Sequence, residues 1–326
     1  MDKHIRLDNR NALNFLRKYA TALVALVIFI FFSFTAENFC TSSNFLMLLR
    51  QMSMLTIVSI GFTFVMGAGG FDMSIGNAAG LINIVFAISL IATNSFLIAL
   101  VLSIICGLII GAVNGTLVAY IGLPDFIATF AVGSIVYGIK MLITKGNPIF
   151  FPNTIPKIAT FIGQGYVGAI PFPVILMFIF VAAAIFVLTK TTLGRRIYSI
   201  GGNAVASLYA GINVKRYRML TFMISGVSVA FAAVILTSRL GSAQPLAGED
   251  FLLDAIAAVY LSTTMFGDGE PTGSGTFVGA FIISMLNNGL TMLNVPYYFQ
   301  YITKGTVVIL AVVMSVVLGR KMKMKL

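Results

Sequence analysis

From residue 96 to residue 121 the chain runs without a single charged side chain. Crossing the hydrocarbon core of a bilayer as a helix takes about 20 mostly apolar residues. Ten stretches qualify: 20–36, 45–66, 71–92, 96–121, 125–144, 172–189, 219–238, 252–267, 275–293 and 300–319. The chain is 59% hydrophobic and only 10% charged, against about 25% charged in soluble domains. The expected fold is therefore all-α. It is a polytopic membrane protein of about ten transmembrane helices, forming a single transmembrane domain over 1–326. The first run is followed by Glu37-Asn38-Phe39-Cys40 rather than a small-residue cleavage site, so it is read as a retained membrane helix.

The basic residues orient the chain. Lys and Arg accumulate on the cytoplasmic side of membrane proteins. With the N-terminus inside, the N-terminal tail holds five, the 190–218 segment six and the C-terminal tail four (Arg320, Lys321, Lys323, Lys325). That puts fifteen of the 21 inside, against three outside: Lys145, Lys157 and Arg239. Both termini are expected in the cytoplasm, and the +11 net charge records orientation rather than affinity for nucleic acid. Arg50, Lys140 and Lys304 fall near the outer ends of expected helices, where snorkelling to the interface accounts for them. Asp72, Asp125 and Asp254 fall near expected helix starts, where a carboxylate meets the positive end of the helix dipole.

A weak internal repeat divides the chain. Asn114-Gly115, Pro124 and Gly133 resemble Asn288-Gly289, Pro296 and Gly305; Gly70-Phe71-Asp72 resembles Gly248-Glu249-Asp250. Halves at roughly 1–150 and 172–326 carry five spans each. An odd number per half inverts the second, the arrangement of many transporters. Between them, 145–171 contains Pro148, Pro152, Pro156 and Pro171. It cannot be one helix; it receives an external partner or merely connects.

Few chemistries remain open. Cys40 and Cys106 have no disulfide-like or metal-like spacing, and the single histidine, His4, lies in the tail. No G-x-x-x-x-G-K-[ST] loop exists, so this chain is not expected to hydrolyse ATP. Gly107, Gly111 and Gly115 form a small-residue face suited to helix packing. Buried amides in lipid need partners, which makes Asn77, Asn83 and Asn288, together with Ser284, candidates for a solute path. No carboxylate falls deep in an expected helix, which disfavours coupling to an ion gradient. An ion-coupled carrier is one alternative, and an integral membrane enzyme, without a reactive constellation, is another.

The segment 190–218, KTTLGRRIYSIGGNAVASLYAGINVKRYR, is the only long basic stretch inside this apolar chain and has no Asp or Glu. Asn203 is placed to cap a short helix, Ala204–Ala210, and Gly211 to end it. Val205, Leu208 and Tyr209 share one face. Such a helix is too short to stand alone. The segment either lies on lipid headgroups or docks a soluble subunit.

Four ordered motifs carry a resemblance. They are Gly69-Gly70-Phe71-Asp72-Met73-Ser74-Ile75-Gly76; Leu123-Pro124-Asp125-Phe126-Ile127-Ala128-Thr129; Thr192-Leu193-Gly194-Arg195 with Gly201-Gly202-Asn203 and Gly211-Ile212; and Ser242-Ala243-Gln244-Pro245 through Asp254-Ala255-Ile256-Ala257-Ala258-Val259, followed by Asn287-Asn288-Gly289. Together they resemble the permease subunit of a bacterial ATP-binding cassette importer of the ribose/monosaccharide type. The resemblance implies a homodimer or paired permease in the bacterial plasma (inner) membrane. It also implies cytoplasmic ATPase subunits that carry the ATP–Mg, and a periplasmic or extracellular substrate-binding protein. This chain itself then needs no cofactor. The resemblance places a coupling helix at Asn203–Gly211. The same superfamily moves nucleosides and a furanosyl signalling molecule, so these remain alternative solutes. The chain departs from the family's usual pattern at Leu261-Ser262-Thr263-Thr264, where Ser262 and Thr263 replace the two glycines of that pattern.

Overall fold

The structure, a computed structural model, describes residues 23–152, 155–265 and 269–323, the last ten as backbone alone. The basic N-terminal tail and Phe266-Gly267-Asp268 lie outside the described residues. All ten expected apolar stretches contain a helix. These are α1 (Leu23–Thr35), α2 (Ser42–Gly67), α3 (Ile75–Thr93), α4 (Phe96–Gly115), α5 (Asp125–Thr144), α7 (Phe172–Lys190), α10 (Val214–Leu240), α11 (Asp250–Met265), α12 (Gly273–Met292) and α13 (Tyr297–Lys323). Among the described residues, seven helices are long and apolar enough to cross a membrane: α2, α3, α4 with its continuation to Ile121, α5, α7, α10 and α12.

The helix ends follow local chemistry. Thr41 caps α2 and Ser95 caps α4 through side-chain oxygens. α4 runs on as a π turn over Thr116–Ile121, stopped by Gly122 at φ +86°. Leu123-Pro124 then separates it from α5. α10 begins five residues before the expected 219 because Asn213 caps it, its Oδ1 accepting from Arg216 N at 3.1 Å. The last part of the expected 190–218 loop is therefore helix. The loop's first part is helix too: α8 (Thr192–Gly202) is capped by Thr191 and buries Gly194, Ile197 and Ile200.

α2, α3, α10 and α12 are buried over most of their length, whereas α4, α5 and α7 show much of their surface. A helix apolar all round is buried in protein or faces lipid, so periodicity could not tell these two groups apart. α3 packs on α4 and α5, and α11 packs on α12 and α13; α10 packs on α4, and α12 packs on α2. The α4–α10 contact depends on glycine. A Cβ at Gly107 would run into the Gly226 carbonyl, one at Gly111 into the Phe222 carbonyl, and one at Gly115 would crowd Met219.

The 145–171 segment is short pieces, as its prolines require. β1 (Ile149–Phe150) pairs antiparallel with β4 (Ser242–Ala243), with Ile149 opposite Ala243. α6 (Lys157–Gln164) follows, and then β2 (Tyr166–Val167) pairs with β3 (Ile170–Pro171). The two loops 145–171 and 241–249 are thereby tied together.

Gly107→Val is expected to destabilise the protein by about 1–3 kcal/mol, the usual cost of forcing side-chain volume into a packed contact. Gly138→Ala, on α5 with open space at its Cβ, is expected to leave stability unchanged or slightly raised. Thermal unfolding of both variants in detergent checks the contrast.

Candidate solute path and coupling surface

The connector from α2 to α3, residues 68–74, is irregular backbone inside a helical membrane protein. Such backbone needs protein partners. Asp72 supplies the centre. Its Oδ1 accepts from Ser74 N at 2.9 Å and Ser74 Oγ at 2.6 Å, and its Oδ2 accepts from Ser225 Oγ of α10 at 3.1 Å. Asn114 Nδ2 of α4 donates to Ser74 Oγ at 2.8 Å. Asp72, Ser74, Asn114 and Ser225 are all buried. Phe71 N donates to Asp125 Oδ2 at 3.2 Å and Met73 N to Thr129 Oγ1 at 2.9 Å, both on α5.

Asp125 also receives Arg218 of α10, with Nη2 at 2.8 Å from Oδ2 and 3.1 Å from Oδ1. The sequence puts Asp125 at a helix start, and it is in the first turn of α5. Its guanidinium partner, ninety-odd residues away, carries no local signal.

The basic residues correct the snorkelling expectation. Lys140 is fully buried, its Nζ 2.9 Å from Glu249 Oε1 and 3.0 Å from Asn77 Oδ1. Lys304 is also buried, 3.3 Å from Asp254 and 3.5 Å from Asp250. A cation enclosed by protein finds its counter-ion there rather than at the interface. Asp254 sits in the second turn of α11, not at its start, and also takes Asn287 Nδ2 at 2.8 Å. Arg50 is half-buried, against the Gln164 carbonyl and the Tyr166 ring.

The four path candidates do not converge. Asn77 is tied to Lys140, and Asn83 donates to the Gln244 carbonyl at 2.9 Å. Asn288 forms a closed amide pair with Asn44, at 3.0 and 2.9 Å. Ser284 is buried on α12. The neighbouring Asn287 is the one of the pair that meets charged groups, donating to Asp254; adjacent identical residues carry no sequence signal for which of them faces a partner.

The short basic-segment helix is present as α9 (Ala204–Tyr209). Asn203 Oδ1 accepts from Ala206 N at 3.0 Å. Gly211, at φ +81°, donates to the Leu208 carbonyl, and Ile212 N to the Ser207 carbonyl, both at 3.0 Å. That pair of bonds around a left-handed glycine is the Schellman ending. Val205, Leu208 and Tyr209 are exposed, Tyr209 at 88%. A cleft of about 650 Å³ separates α9 from the continuation of α4 and the start of α10, lined by Val118, Gly122, Val205, Leu208, Ile212 and Arg218 among others.

α8 fastens this surface to α2 and to the segment just before α12. A Cβ on Gly201 would meet the Gly67 carbonyl at the end of α2. Tyr198 O–H donates to the Pro271 carbonyl, between α11 and α12, at 2.7 Å. Burial, with Glu270 adding to it, pushes the Tyr198 phenol up to about 12, so the donor stays protonated at physiological pH. Ser262, at the departure from the usual pattern, binds Thr272: its Oγ donates to the Thr272 carbonyl at 3.1 Å and accepts from Thr272 N at 2.9 Å. The Ser262 side chain thus bonds the backbone of Thr272, the cap residue of α12. Among the described residues no group of His, Cys, Asp and Glu could hold a metal ion.

Apolar membrane-length helices, an irregular connector held by internal polar groups and an exposed capped helix outside the spans make this a multi-pass helical membrane protein. The comparisons agree. Residues 44–317 match the family described as the branched-chain amino acid transport system / permease component, and the chain belongs to that family. It is 37% identical to the ribose import permease of Haemophilus influenzae over 92% of this chain and 94% of that protein. It is 35% identical to the D-allose transport system permease of Escherichia coli over 91% of each chain, and 31% identical to that organism's xylose transport system permease over 92% of each. No solved structure matches the chain.

Arg218→Met leaves Asp125 without its cation. The pair is mostly but not fully buried, so a loss of about 1–3 kcal/mol is expected, between surface and buried pairs. Chemical denaturation checks it, with Asp125→Asn/Arg218→Met recovering part of the loss.

Proposed function

We propose that this chain is the transmembrane permease subunit of an ATP-binding cassette importer, carrying a ribose-like monosaccharide across the bacterial plasma (inner) membrane. The observation that carries the reading is similarity along nine-tenths of the chain to permeases named for ribose, allose and xylose. Ribose and allose share the configuration of three consecutive hydroxyls, which favours a ribo-configured solute.

Ten spans in two inverted five-helix halves fit the parallel packing of α2–α5 and α10–α13. Fifteen inside cations against three outside put both termini in the cytoplasm. A homodimer or paired permease frames the path. Separate cytoplasmic subunits bind ATP–Mg and engage α9. Its residues fit a docking role: Asn203 and Gly211 fix the helix ends, and Val205, Leu208 and Tyr209 present an apolar face. Exposed apolar patches of this kind mark partner surfaces. A substrate-binding protein docks outside on the joined loops 145–171 and 239–250.

Movement of α9 reaches the membrane through α8. α8 rests on the end of α2 and is bonded to the α11–α12 connector. Alternating access then rocks the two halves around the path. Asn77, Asn83, Ser284 and Asn288 contribute to that path in this reading, with Asn77 and Asn83 nearest the 244–249 loop.

Leu208→Ala with Tyr209→Ala is expected to lower sugar uptake at least about tenfold in proteoliposomes holding the ATPase and binding protein. Stability should be unchanged, because exposed positions shift it by only about 0.5 kcal/mol. Normal uptake at normal protein level would remove α9 from the coupling path.

A further inference from the structure

Asp254, Asn287 and Lys304 come from three helices, α11, α12 and α13, and meet in one place. Asp254 Oδ2 receives both donors, Asn287 Nδ2 at 2.8 Å and Lys304 Nζ at 3.3 Å. The same ammonium lies 3.5 Å from Asp250 Oδ1. Asp254 is 8% exposed and Asp250 54%, so Lys304 bridges a carboxylate inside the protein and one at its surface.

Two acceptors are left over. Asp254 Oδ1 and Asn287 Oδ1 are both shielded from water and accept no hydrogen bond, although Oδ1 of Asp254 keeps its ion-pair contact with Lys304. The Asn44–Asn288 pair, one residue further along, closes on itself instead. Buried acceptors without donors are unfavourable, and they are relieved in a state where donors arrive.

Two carboxyl-type acceptors beside an ammonium complement adjacent hydroxyls. The hydroxyl hydrogens go to the acceptors and an oxygen lone pair receives the ammonium. The half-exposed Tyr301 ring lies 5.6 Å from Lys304 Nζ and offers a flat face to a sugar's C–H groups.

We propose that Asp254, Asn287 and Lys304 form a hydroxyl-recognition station on the transport path, taking a neutral polyhydroxylated solute of the monosaccharide class. The station rests on the importer reading above and adds residues to its path. Asp254 and Asn287 accept from adjacent hydroxyls, and Lys304 donates to a hydroxyl or ring oxygen while holding the Asp250 end of the path.

The test uses the whole transporter in proteoliposomes, with ATPase subunits and binding protein, and reads radiolabelled D-ribose uptake and ATP hydrolysis together. Asn287→Ala and Asp254→Asn are each expected to lower sugar moved per ATP hydrolysed at least about tenfold, since sites built to bond hydroxyls discriminate strongly once a partner is lost. Hydrolysis stimulated by the loaded binding protein should stay within about twofold of wild type. If Asp254→Asn does not assemble, Asn287→Ala decides alone, because that side chain is only half-buried and makes one hydrogen bond. Unchanged uptake per ATP in Asn287→Ala overturns the station. So does a parallel fall of uptake, hydrolysis and thermal stability, which marks a structural tie. A wild-type assembly that hydrolyses ATP but moves no sugar overturns the importer reading, and the station with it.

Discussion

A carboxylate enclosed by protein holds the centre of this molecule together. Asp72 sits where α2 has ended and α3 has not begun, in backbone that lipid cannot solvate. It gathers the start of α3 and Ser225 of α10 directly, and Asn114 of α4 through Ser74. Phe71 and Met73, on either side, hand their N–H groups to Asp125 and Thr129 of α5. One irregular connector thus fixes three neighbouring helices. Glycine contacts between α4 and α10 bring the backbones close enough for that geometry. The arrangement follows from solvent: in a bilayer, association comes from close packing and internal polar bonds rather than from the hydrophobic effect.

Charge is placed by the same constraint. Lys140 and Lys304, on α5 and α13, reach consecutive acids, Glu249 and Asp250, at the end of the α10–α11 connector. Each lysine therefore ties its helix to one short segment. That segment is continuous with β4, which carries β1 from the 145–171 segment. These contacts tie the 145–171 and 241–250 segments to α5 and α13, and α8, the Asp125–Arg218 pair and the bond from Tyr198 to Pro271 add further ties.

Much was legible along the chain. Apolar run length gave every main helix, and caps and stops gave α9 to within a residue: Asn203 and Gly211 act through their own local chemistry. α8 was missed, although Thr191 with Leu193, Ile197 and Ile200 carried a cap and a helical spacing; the basic charge of the segment masked it. The start of α10 was misplaced because Lys215, Arg216 and Arg218 look like loop to a hydropathy reading, while Asn213 caps the helix ahead of them.

What the sequence by itself determined was the solvent of the fold, its helical class and the local ends of its short helices. Each depends on composition or on residues a few positions apart. Only the tertiary structure decided which polar residues meet. Asn287 rather than Asn288 faces Asp254, Lys140 and Lys304 are enclosed rather than at the interface, and Arg218 finds Asp125. In a helix that is apolar all round, the sequence carries no stripe to show which side faces protein and which faces lipid, so those partnerships exist only once the helices are packed.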